Sequence, residues 1–410
     1  MFFLQMSVLL SIIGFYYNLG IINYNVFGNN ELRLYDLGML YPVLTFIFSL
    51  IKRYDYSYTK KEKYFGYFVA YCFASMILFT TFMNILNLEI IAIAHTVLYF
   101  YHLLGFYVIS IYALRIFEKR MLFKLILILT YINAIVLLLQ HINIIDHFWS
   151  HVYINSYGDV NFSAFLGPNR ITPSMTMFFS SVFLLIYGKK YDLQLVSNSC
   201  ILICIINILM IGSRTTLLAL FIFFIYIILN NQMKQFIIPI IITVLLAINF
   251  SPIKDRIDYI VYNRISKKIV EYDNDTVEAR FNRITSRRVL TNLNYIEKIQ
   301  NEPWTLFFGR GFNNRYIAGA KSAHNQYISL LFELGFVGLF LFVRWLYSIY
   351  VIHYFNNNNQ NKIFYKAFVL SMIITLTGGE HLYIYRPLFA LLGLFLLIIN
   401  FNDKQIKIIN

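Results

Sequence analysis

Long apolar stretches dominate this chain, near 2–22, 37–51, 64–82, 90–114, 122–142, 171–187, 193–211, 215–229, 236–250, 325–350, 365–379 and 387–401. About 20 apolar residues span the hydrocarbon core of a bilayer as a helix, so runs of this length predict membrane helices. The runs are continuous and do not alternate apolar with polar, which argues against a transmembrane β-barrel. The pattern predicts an all-α polytopic integral membrane protein of about twelve transmembrane helices. The run from Phe2 to Ile22 is read as the first of them, because it is long, lacks a basic segment ahead and is followed by no small-residue cleavage pattern. Three regions follow: helices one to nine with short loops in 1–250, a large hydrophilic loop in 251–324, and three helices with a short tail in 325–410.

Composition agrees with this reading. Hydrophobic residues make up 59% of the chain and charged residues 13%, too few charges to cover a soluble surface. The net charge of +14 could suggest a nucleic-acid partner, but its placement gives a different reason. With the N-terminus inside, the inner connections hold Lys52, Arg53, Lys60, Lys61 and Lys63, then Arg115, Lys119, Arg120 and Lys124, then Lys189 and Lys190, Lys234, Lys362 and Lys366, and Lys404 and Lys407. The short outer connections hold only Arg33, Arg170, Arg214 and Arg386. Cations retained on the cytoplasmic side give this asymmetry, so nucleic acid is not expected. Cys72, Cys200 and Cys204 all fall in apolar runs, which leaves no disulfide framework and no thiolate metal site.

The loop 251–324 is exempt from the charge rule, since long loops translocate regardless of charge, and it is too long for a passive connection. Within it, Phe281, Ile284, Leu290, Leu293, Ile296 and Ile299 recur at helical spacing, predicting an amphipathic helix over Glu278–Gln300 near the outer surface. Candidate chemistry collects on that outer side. Gly212-Ser213-Arg214-Thr215-Thr216 sets an Arg and two hydroxyls at a tight hairpin, able to present a bidentate donor or simply to snorkel to headgroups. Thr285-Ser286-Arg287-Arg288 opens the loop helix with two cations on different faces. Gly309-Arg310-Gly311-Phe312 offers close backbone approach, and Ser322-Ala323-His324-Asn325 places a His, able to act as a base near neutral pH, where the loop returns to the membrane. Gly167-Pro168-Asn169-Arg170 reads as a turn entering a helix, and Gly335–Gly338 as close helix packing. His95 and His102 lie in one membrane run and are expected to satisfy each other or a neighbouring polar group. Asp273-Asn274-Asp275 has the Asp-x-Asp form of metal–nucleotide-sugar sites, but an Asn/Asp turn explains it and no metal is expected.

Taken together and in order, SRTTLLAL at 213–220, SRRVLTNLNYIEKIQNEPWTLFFGRGF at 286–312 and AHNQYISLLFELGFVG at 323–338 resemble the signature segments of the O-antigen polymerase and ligase superfamily. The resemblance covers about the second half of the chain, from near 160 onward; the first half is similar in topology alone. It implies a GT-C-like helical fold in the bacterial cytoplasmic membrane, with both termini cytoplasmic and the site on the outer face. It also implies a metal-independent, cofactor-free glycosyl transfer from undecaprenyl diphosphate to a hydroxyl. The partners implied are lipid-linked oligosaccharide donor and acceptor, with a chain-length regulator and a flippase as further candidates. Residue by residue, His324 corresponds to the family's essential His, Arg214 to its hairpin Arg, and Arg288 or its neighbour Arg287 to its loop Arg. Arg310, Asn325, Asn169, Arg170, Glu380 and Arg386, the last beside His381, are the further substrate-binding candidates. Two departures are visible: the spacer from Pro303 to Gly309 is longer than the family's, and the loop Arg is doubled.

Polymerase, ligase and flippase all remain open at this point. The Ile, Asn, Phe and Tyr excess typical of AT-rich genes leans toward a polymerase by association. A transporter should line a path with intramembrane charges. The apolar runs offer chiefly Glu89 and Arg344, which disfavours that reading.

Overall fold

The computed structural model describes residues 2–18, 20–24, 30–52, 58–81, 90–146, 148, 162–167, 171–230, 288–314, 323–351 and 359–379. Its helices are α1 (Phe2–Tyr16), α2 (Leu34–Ile51), α3 (Lys60–Ser75, continued as a π-helical turn over Met76–Thr81), α4 (Ile90–Ile116) and α5 (Lys119–His141). They continue with α6 (Ile171–Tyr187), α7 (Gln194–Ile211), α8 (Arg214–Leu229), α9 (Arg288–Asn301), α10 (Thr305–Phe308), α11 (Gln326–Tyr350) and α12 (Asn359–Thr375). Helices α1–α8, α11 and α12 fall on predicted runs, and the runs 236–250 and 387–401 lie outside the described residues. Among the described residues, six helical segments are long and apolar enough to cross a membrane: 34–51, 60–81, 96–116, 119–141, 194–211 and 326–350. The chain is a multi-pass membrane protein with an all-α body.

One prediction needs correcting at the start of the chain. The run 2–22 is not one helix: α1 stops at Tyr16, and Gly20–Tyr24 pairs antiparallel with Asn30–Arg33 as a short hairpin, β1–β2. Asn18 and Gly20 are poor helix formers, and the β-branched pair Ile21–Ile22 favours extended backbone.

Two compact units make up the chain. The first contains 1–125, 295–356 and 376–410. In it α1 lies against α2 so closely that Gly14 meets the backbone of Tyr35 and Gly38 meets Ser11. A polar knot ties these helices to α4. Asp36 accepts from the backbone N–H of Arg33 at 2.8 Å, its other oxygen meets His102 Nε2 at 2.5 Å, and the Tyr101 hydroxyl donates to its carbonyl at 2.5 Å. A carboxylate in a membrane protein needs such company. His102 therefore finds the neighbouring polar group expected of it, while the side chain of His95 lies outside the described residues. Where α3 and α11 pack, Phe65 and Trp345 lie 4.5 Å apart and Phe68 and Phe342 5.4 Å apart. The start of α3 is capped reciprocally by Thr59 and Glu62, and Glu62 also takes a bidentate pair from Arg115 at 2.8 and 3.1 Å.

The second unit contains 126–294 and 357–375. Its core is aromatic, with Phe368 of α12 set against Phe178 and Phe179 of α6 at 6.0 and 4.9 Å. Asn207 of α7 donates to the Ala134 carbonyl of α5 at 2.7 Å, an interhelical bond that replaces lost water.

Candidate functional site

Arg214 owes its position to a two-residue reversal. Helix α7 ends on Gly212 in the left-handed conformation (φ 60°), and α8 begins with Arg214 as its first residue. The neighbouring hydroxyls do not accompany it outward, contrary to the sequence expectation. Thr215 and Thr216 are buried, and Thr216 meets Ser174 of α6 at 2.7 Å and Ser213 at 3.3 Å, so they fasten the hairpin. Arg214 alone is exposed. A cation at a helix N-terminus opposes the helix dipole by about 0.3–1 kcal/mol, whereas an anion brought there is favoured. Arg288 is the first described residue of α9.

His324 stands at the start of α11. It is exposed, and its backbone is left-handed at φ 53°, a region costly for a side chain with a Cβ. Its neighbours hold it there. Asn325, expected to bind substrate, uses its side-chain oxygen to cap α11, accepting from the N–H groups of Tyr327 and Ile328 at 3.0 and 3.3 Å. The next backbone N–H, of Gln326, donates to the Leu376 carbonyl at 2.9 Å. On the other side, Ala323 is buried with Tyr295 and Ile299 of α9 and Phe332 of α11. The apolar face of α9 is only partly covered: Ile299 is buried, while Leu290, Leu293 and Ile296 are exposed. Phe281 and Ile284, which extend that pattern, lie outside the described residues.

Residues 302–314 were read as part of the hydrophilic loop, but they dock on the helices. Helix α11 breaks at Gly335 (φ 65°, ψ −168°), which deprives the carbonyls before it of helical partners. Backbone N–H groups of the turn replace them, Arg310 donating to Phe332 at 3.0 Å and Gly311 to Glu333 at 2.8 Å. The hydroxyl of Tyr71 donates to Leu334 at 3.0 Å. The fit is reciprocal and depends on two glycines. A Cβ on Gly309 would collide with the Glu333 carbonyl, and one on Gly335 with the Phe307 carbonyl. The side chain of Glu333, fully buried, accepts from the Asn313 N–H at 2.9 Å. Across the turn, α3 contributes Ser75, which accepts from the Phe312 N–H at 3.2 Å, and Thr80, which donates to the Phe312 carbonyl at 2.7 Å. Glu333 lies seven residues into the membrane-length helix α11, about 10 Å along it from its start. Backbone at that depth persists only when fully hydrogen-bonded within protein.

Arg310, expected to bind substrate, is already engaged: its guanidinium pairs with Glu302 at 2.6 Å and lies 5.1 Å from the Phe332 ring centre. Arg310, His324 and Asn325 thus attach to one helix of the first unit, while Arg214 belongs to the second. Asn169, Arg170, Arg287, Glu380, His381 and Arg386 lie outside the described residues, as does Asp273–Asp275. The sequence reading passed over Glu302 and Glu333. For Glu333 the signal was present, an acid in the middle of the run 325–350.

Residues 199–343 match the family described as O-antigen ligase. That stretch begins in α7, ends in α11 and encloses Arg214, Arg288, Arg310, His324 and Asn325. The chain carries an O-antigen ligase family domain. Enzymes of this family are membrane glycosyltransferases. The O-antigen ligase domain covers about a third of the chain and includes the whole docked turn with the helix break that receives it. No curated protein matches the chain.

Proposed function

We propose that this protein is an O-antigen polymerase, transferring a growing glycan from undecaprenyl diphosphate to the next lipid-linked repeat unit at the outer face of the cytoplasmic membrane. The observation that carries the reading is that the O-antigen ligase stretch encloses Arg214 at a helix N-terminus, Arg288 on α9 and a strained, exposed His. In the reaction an acceptor hydroxyl attacks the anomeric carbon while the bond to the lipid diphosphate breaks. Negative charge grows on the departing diphosphate, and guanidinium groups, always protonated and fork-shaped, stabilise it. Arg214 and Arg288 have that role, with Arg287 as the alternative to Arg288. His324 takes the hydroxyl proton and returns it to solvent, which suits an imidazole near neutral pH. The exposed Leu290, Leu293 and Ile296 rest on the bilayer beside the lipid substrate.

His324→Ala is expected to abolish chain extension, read on a lipopolysaccharide gel, while the protein still accumulates in the membrane; a normal ladder would exclude His324 as the base. A second reading, transfer of the finished polymer to lipid A–core sugar, draws support from the matched family's description as a ligase. Deletion of the gene separates the two. One repeat unit on the core marks a polymerase, whereas lipid-linked polymer with no attached chain marks a ligase.

A further inference from the structure

The second unit also contains a cavity at the end of the α6–α7 hairpin remote from Gly212 and Arg214. It has a volume of about 350 Å³ and is lined by Lys189, Lys190, Gln194, Asn198, Asn361 and Phe364, with the last turn of α6 forming an apolar wall. That volume falls within the roughly 300–1,000 Å³ range of small-molecule sites. Two lysines, one of them with its ammonium 5.7 Å from the Tyr191 ring centre, and three amide residues are in the lining, and among the described residues no acid is. Asp192, the acid nearest in sequence, closes the short helical turn 189–191 in left-handed conformation and is not part of the wall.

Backbone polarity adds to the same sign. Gln194 is the first residue of α7, an 18-residue helix whose N-cap, Leu193, has no side-chain acceptor to offer. Asn361 lies on α12. The N-terminus of α7 therefore lies at the cavity that the lysines line and brings positive partial charge to it. Retention of cations on the cytoplasmic side accounts for lysines at this level of a membrane protein. It does not account for a cavity, nor for the amides and the α7 terminus gathered around it.

We propose that this cavity binds a phosphate group, and that the group belongs to an anionic lipid headgroup. The apolar wall favours the lipid source, because a headgroup enters with its acyl chains alongside the helices, whereas inorganic phosphate has no use for Phe364 or Leu184–Ile186. The site is independent of the transfer chemistry proposed above and does not stand or fall with it.

The test is native mass spectrometry of the detergent-purified full chain titrated with phosphatidylglycerol and, separately, phosphatidylcholine. A saturable preference for phosphatidylglycerol is expected, weakened about tenfold or more by Lys189→Gln/Lys190→Gln. It should survive Lys60→Gln/Lys63→Gln, which removes the same charge from exposed positions on α3. Gln194→Glu supplies a second arm: an acid in the first turn of α7 favours the helix but repels an anion, so binding should fall with no loss of thermal stability. Competition by millimolar inorganic phosphate would assign the site to soluble phosphates; persistence of the lipid assigns it to the headgroup. Equal weakening by both lysine pairs, or no lipid preference at all, overturns the proposal.

Discussion

At position 324 the backbone and the side chain make opposite demands. A left-handed φ of 53° suits glycine, and a residue with a Cβ gives up about 1–2 kcal/mol to adopt it. The imidazole must supply what glycine cannot. His324→Gly is therefore expected to melt at the same temperature as the parent or a few degrees higher in detergent, and to extend no chain. An active His324→Gly would leave the strain without a functional reason. Arg214 follows similar logic, a cation in a helix position where folding prefers an acid. Both residues were legible in the sequence as chemistry-bearing groups at the ends of apolar runs. Their backbone settings were not, because φ at 324 depends on how Asn325 caps α11 and on the packing of Ala323 against α9, a contact between distant segments. Asn325 shows the converse: its amide could bind a sugar or cap a helix, and only the structure shows it capping.

Among elements, α11 is the one whose irregularity organises the others. Its break at Gly335 exposes three carbonyls, and the turn 309–313 with Tyr71 takes them up. Gly335→Ala should thus lower thermal stability by about 2–5 kcal/mol, combining left-handed strain with a clash on the Phe307 carbonyl, and depress activity with it. Scanning fluorimetry of the purified variant measures the loss; an unchanged melting temperature would mean the turn is not held there. Apolar runs revealed the helices, since hydrophobic length is what a bilayer selects. They could not reveal the π-turn at Met76–Thr81 or the break in α11, because neither interrupts the apolar run that contains it. The Gly-x-x-Gly pair read as close packing divides its work: Gly338 approaches Tyr71, while Gly335 makes the turn's socket.

For the whole molecule, the alternation of Lys and Arg between connections predicts an orientation with 251–324 outside. Some of those charges are also structural, as the pairing of Arg115 with Glu62 shows. The three native cysteines are buried, so an impermeant maleimide meets a quiet background. In spheroplasts, Asn274→Cys should label at once and Asn358→Cys only after permeabilisation; the reverse pattern would invert the orientation. The docked turn also changes what counts as an exchangeable part. Residues 302–314 lie before α11 in the chain yet share its hydrogen bonds, so neither is complete without the other. A hybrid that borrows the outer loop from a relative, to acquire its preference for another glycan, would bring a plug cut for a different socket. Such grafts should be drawn at 301 and 339, carrying loop end and helix break across as one inherited unit.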